Sequence, residues 1–129
     1  MKISHEVPRC LLNNSRKFNT YDYCLPHLLD QDEEYKEFFY ESKKQGRYII
    51  MDNSLHELGE AYNHERLRYW INELEPDEFI VPDVWMDCHK TTAQAKYWKQ
   101  FTYPDKTKIT AVIQGKNKNE AYLCANILQ

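Results

Sequence analysis

Short apolar runs alternate with amphipathic stretches along this chain, and the alternation repeats. Four runs read as strands: Tyr21 to Leu28, Arg47 to Asp52, Glu78 to Val84 and Lys108 to Gln114. Their spacing matches one strand, one helix and two connections per unit. Tyr48-Ile49-Ile50-Met51 and Phe79-Ile80-Val81 are continuous rather than alternating. Continuous runs suit strands covered on both faces, as in a parallel sheet.

Helices fill the gaps between these runs. Asp32 is placed to cap the first, Glu33 and Glu34 favour its positive end, and Tyr35, Phe38 and Phe39 form its apolar stripe. Lys43 and Lys44 sit in its last turn and Gly46 ends it. A second helix runs from about Asn63 to Leu74, with Leu67, Trp70, Ile71 and Leu74 on one face. A third is expected over about Thr91 to Phe101, burying Ala95, Trp98 and Phe101. A fourth starts near Asn117, with Glu120 positioned as in a capping box and Ala121, Cys124, Ala125 and Leu128 as its buried stripe.

Residues 1 to 20 are less regular. Lys2 to Glu6 reads as an initial strand or as part of a small hairpin, and Asn13-Asn14-Ser15-Arg16 as a turn. Four strand-helix units in series predict an α/β domain over 1–129, with a parallel sheet and right-handed crossovers. Two architectures fit: an open doubly wound sheet, or roughly half of a TIM-type (β/α) barrel, which needs about 250 residues in full. The chain stops inside an apolar helical pattern at Ile127-Leu128-Gln129. That predicts a fragment, a truncated reading frame, or a half-barrel completed by a second chain or copy.

Composition narrows the function classes. The 129 residues carry a formal net charge of -3, and basic clusters are short, such as Arg16-Lys17 and Lys116-Asn117-Lys118. That argues mildly against tight nucleic-acid binding by this segment alone. Only three glycines occur, with no G-x-G-x-x-G and no phosphate loop. The four cysteines, Cys10, Cys24, Cys88 and Cys124, form no C-x-x-C pair and read as free, mostly buried thiols. No apolar run is long enough to span a membrane and no leader-like stretch opens the chain, so a cytoplasmic setting is expected.

In parallel α/β folds, polar residues at the carboxyl ends of strands line the site. Asp52, followed by Asn53 and Ser54, ends the second run; a carboxylate there can move a proton or hold a substrate N–H. Asp83 and Asp87 follow the third run, and either can accept N–H groups from a purine edge. Asp87 is favoured for that contact, although it can equally cap the third helix. Gln114-Gly115 ends the fourth run, where the amide can read a base edge and the glycine can let backbone approach a ligand.

As an ordered set, Asp52-Asn53-Ser54, Asp83 through Thr91, and Ile113-Gln114-Gly115 resemble the motifs of tRNA-guanine transglycosylases, over about residues 20 to 128. The variant Asp-Asn-Ser with Glu57-Leu58-Gly59 is similar to divergent phage and bacterial relatives that handle deazaguanines in tRNA or DNA. The resemblance implies exchange of guanine for a 7-deazaguanine base at a glycosidic bond. By motif, Asp52 would act in proton transfer, Asp87 would recognise the purine edge and Gln114 its carbonyl. Leu55 and His56 stand where the family motif has two glycines. The family's nucleophilic aspartate and its zinc ligands would lie beyond residue 129, so no cofactor is expected within this chain.

Two other readings stay open. Asp52, His56, Glu57, Asp87 and His89 could form the metal site of a barrel hydrolase. The chain could also be a non-catalytic base-binding or accessory subunit. Tyr97, Trp98 and Tyr103 read as helix-packing residues rather than stacking platforms.

Overall fold

Four strands, β1 (Asp22–Cys24), β2 (Ile49–Met51), β3 (Glu78–Ile80) and β4 (Lys108–Thr110), form one parallel sheet in the order β1-β2-β3-β4. This is a computed structural model, and it describes residues 1–4 and 6–129. Each strand starts within two residues of the start of a predicted run but is shorter. The first run ends early because Pro26 opens a helix, where its missing N–H costs nothing.

The register sorts the strand residues onto two faces. Asp22 lies opposite Ile49, Cys24 opposite Met51, Met51 opposite Phe79 and Phe79 opposite Ile109. Cys24, Ile49, Met51 and Phe79 are buried in the core, packed with the apolar stripes of three helices. The stripes are Tyr35, Phe38 and Phe39 of α3 (Glu33–Lys44), Leu67, Trp70, Ile71 and Leu74 of α5 (His64–Leu74), and Trp98 of α6 (Cys88–Trp98). On the opposite face Tyr23, Ile50, Glu78, Ile80 and Thr110 remain half-buried.

The caps follow local chemistry. Asp32, Asn63, Asp87 and Asn117 each accept the backbone N–H three residues on, opening α3, α5, α6 and α7 (Lys118–Leu128). The cap on Asp87 starts α6 three residues before the expected Thr91. In α7 the stripe is incomplete: Cys124 is buried, whereas Ala121, Ala125 and Leu128 are half-buried, because α7 packs chiefly against α6.

Three short helices had no counterpart in the sequence pattern: α1 (Leu12–Ser15), α2 (Pro26–Gln31) and α4 (Leu55–Leu58). The expected turn at Asn13 to Arg16 is therefore mostly α1, entered through a 3-10 turn at Arg9–Leu11. Among the described residues of Lys2 to Glu6 no strand forms, and His5 lies outside the described set. Ile3 instead exchanges bonds with Thr20 just before β1.

One buried ion pair ties the start of β1 to β2. Asp22 is 2% exposed, and its carboxylate takes a two-pronged contact from Arg47, Nε to Oδ2 at 2.7 Å and the terminal nitrogen to Oδ1 at 2.8 Å. The same guanidinium donates to the Asn19 carbonyl at 2.9 Å. Of the cysteines, Cys24, Cys88 and Cys124 are buried free thiols and Cys10 is exposed. Among the described residues, no helix is long and apolar enough to cross a membrane.

Candidate functional site

A crevice of about 500 Å³ lies at the carboxyl ends of the strands, on the face opposite the main helical packing. Tyr23, Ile80 and Val112 give it an apolar floor, and Asp52, Asn53, Asp83 and Gln114 supply its polar groups. Leu55, His56, Gly59 and Trp85 complete the lining.

Asp52 extends the β1–β2 ladder, donating its backbone N–H to Cys24 O at 2.8 Å. Its side chain is fixed at both oxygens. Tyr23 OH donates to Oδ1 at 2.9 Å, and the Ser54 N–H donates to Oδ2 at 2.9 Å. Burial pushes the Tyr23 hydroxyl far above the ordinary tyrosine range, and the Asp52 charge adds to the effect. Tyr23 thus stays protonated as a donor to Asp52. Nearby, burial raises Glu6, with the charges of Glu57 and Asp52 pushing the same way and His27 and His56 opposing them.

Asp83 forms the centre of the polar wall. It is buried, and each of its oxygens accepts from a side-chain amide: Asn53 Nδ2 to Oδ1 at 2.8 Å and Gln114 Nε2 to Oδ2 at 2.6 Å. Asn53 also donates to Val81 O at 3.0 Å and accepts the Leu55 N–H at 3.0 Å. The three side chains come from the ends of three successive strands. The network leaves carboxylate lone pairs for a ligand and presents an amide beside them.

The other predicted residues stand elsewhere. Ser54 is fully buried beneath the crevice wall, with backbone φ of 59° and its hydroxyl 2.8 Å from His27 Nδ1. Asp87, favoured from sequence for the base edge, is outside the lining and is engaged at the head of α6. It accepts the Lys90 N–H at 2.9 Å and pairs with Lys90 Nζ at 3.5 Å. That backbone bond, with the Lys90 charge, holds its carboxyl below the ordinary range. Of the two carboxylates, Asp83 is the one that lines the crevice.

Gly115 is also outside the lining. Its φ is not left-handed, so no left-handed turn requires a glycine there. An added Cβ would lie 2.5 Å from Ala121 N and 2.8 Å from Glu120 C, so the glycine admits the first turns of α7. Gly115→Ala is expected to cost about 1–3 kcal/mol through overpacking, read as a lower thermal midpoint. An unchanged midpoint would show that α7 shifts freely.

No protein-family model, curated protein or solved structure matches this chain. The chemistry therefore rests on the crevice itself. Of the five residues that suggested a hydrolase metal site, Asp52 and His56 reach the crevice, Glu57 lies in α4 outside the lining, and Asp87 and His89 belong to the head of α6. Among the described residues, no three His, Cys, Asp or Glu side chains are grouped to hold a metal ion. Tyr23 and Trp85, like Ile80 and Val112, line the crevice without standing out as site residues in the sequence. Period-two alternation carried the signal for Tyr23, which must face away from buried Cys24.

Proposed function

We propose that this chain recognises a guanine or 7-deazaguanine base, as the base-binding part of a transglycosylase-like protein that exchanges bases in tRNA or DNA. The observation that carries the reading is the buried Asp83 carboxylate, flanked by the Asn53 and Gln114 amides at three adjacent strand ends. A guanine-type edge offers two adjacent N–H donors beside a carbonyl. Asp83 accepts the donors and the Gln114 amide serves the carbonyl, the pairing that base edges favour. Asp52, hydrogen-bonded to Tyr23, is the proton-handling group beside the bound base.

The fold supports the same reading. Sequential strand order with helices packed on one face is the winding of a (β/α) barrel, whereas a doubly wound sheet reverses its order. In this proposal the four units are half of a TIM-type barrel, and a second chain or copy adds to the exposed β4 edge. The polynucleotide would enter over the crevice.

Calorimetric titration with guanine and with 7-aminomethyl-7-deazaguanine tests the proposal. Saturable binding is expected for wild type and for Asp87→Ala. Asp83→Ala should bind roughly ten- to a hundredfold more weakly, the range for loss of a two-pronged base contact. Full affinity in Asp83→Ala, or no heat with folded wild type, would refute base recognition at this crevice.

A further inference from the structure

Trp85 stands apart from the other two tryptophans. Trp70 and Trp98 are 4% and 0% exposed, whereas Trp85 is 69% exposed on the rim of the crevice. A large aromatic ring left in water gives up the free energy its burial would release. A flexible loop could fold such a ring away, but this loop is fixed at several points. Val84 is bound through both backbone groups to Thr91 Oγ1, its N–H at 3.0 Å and its carbonyl at 3.1 Å. The Asp87 N–H donates to the Val84 carbonyl at 3.1 Å, and Asp87 then caps α6. Between them Met86 adopts φ of 55°, a conformation uncommon and costly for a side-chain-bearing residue.

The Met86 N–H donates to Gln114 Oε1 at 3.0 Å, while Gln114 Nε2 holds Asp83 at 2.6 Å. One side-chain amide thus joins the turn that presents Trp85 to the carboxylate at the centre of the polar wall. The pairing suits a flat heterocycle with a polar edge and apolar faces. We infer that Trp85 is the stacking platform of this site, covering one face of the base whose edge Asp83 and Gln114 read. Stacking tolerates any planar base, so Trp85 contributes affinity while the amide-carboxylate network selects.

This inference rests on the base-binding proposal, and its test separates the two. Wild type, Trp85→Ala and Trp85→Phe are titrated with 7-aminomethyl-7-deazaguanine, followed by calorimetry and by tryptophan emission. Because Trp70 and Trp98 are buried, iodide quenching reports mainly on Trp85. Binding is expected to quench emission saturably and to shield Trp85 from iodide. Trp85→Ala should bind about ten- to a hundredfold more weakly and lose the emission change, and Trp85→Phe should retain most of the affinity. Binding heat in wild type with unchanged iodide access, or wild-type affinity in Trp85→Ala, overturns the stacking role and leaves base recognition standing. No binding by folded wild type overturns both. Circular dichroism confirms the fold of each variant, since Trp85 is not a core residue.

Discussion

Replacing Arg47 by methionine is expected to remove about 3–5 kcal/mol of stability, measured as a lower urea midpoint with an unchanged slope. The cost comes from what is left behind. Asp22 is 2% exposed on the helix-packed face, and both its oxygens depend on the Arg47 guanidinium. Without it the carboxylate is buried, charged and unpaired, and Asn19 O loses a donor as well. Domains of this size hold only about 5–15 kcal/mol in total, so the loss is a large share. The double variant Asp22→Leu with Arg47→Met should recover most of it, because removing both charges leaves nothing to desolvate. A wild-type midpoint for Arg47→Met would show that the pair holds nothing together.

Trp98 carries the second large effect. It is fully buried, with ring centroids 5.2 Å from His64, 5.8 Å from Phe79 and 6.0 Å from Phe101. Trp98→Ala should cost about 3–5 kcal/mol through lost transfer energy and the cavity left between α6 and β3. Trp98→Phe should cost far less, under about 1.5 kcal/mol. Among the described residues the buried Trp98 Nε1 has no hydrogen-bond partner, so phenylalanine loses volume but also drops an unsatisfied N–H. Equal losses in the two variants would mean that a phenyl ring at this position recovers none of the packing.

The helical part of the fold was legible wherever a cap and an apolar stripe coincided. Asp32 with Tyr35, Phe38 and Phe39, and Asn63 with Leu67, Trp70, Ile71 and Leu74, are both local signals, and the structure keeps them. Asp87 carried two readings at once. Reading it as a ligand contact rather than a cap put the start of the third helix three residues late, and the structure leaves Asp87 outside the crevice that Asp83 lines. Helices α1, α2 and α4 span four to six residues, too short for a period to register. Pro26 did mark the start of α2, but it sat inside a run already read as strand.

The site was legible at the level of strand ends and not beyond. Asp52, Asn53, Asp83 and Gln114 could be assigned to the crevice because a parallel sheet collects its carboxyl ends. Which of them bond to one another depends on register, and register is a long-range property. Ser54 and Gly115 show the limit. Each sits beside a crevice residue, yet one lies beneath the wall and the other faces α7. Trp85 was hidden for a different reason, since exposure of an aromatic residue cannot be read from its neighbours in sequence.

The strand order carries a kinetic consequence. Every sheet pairing joins neighbouring units, β1 to β2, β2 to β3 and β3 to β4, so no strand waits for a distant segment. Loop closure between adjacent units costs less entropy than closure across the chain. As the polypeptide leaves the ribosome, β1 and β2 can pair over α3 before β4 has been made, and the sheet can lengthen one strand at a time. The crevice is then completed last, when Gln114 arrives to clasp Asp83.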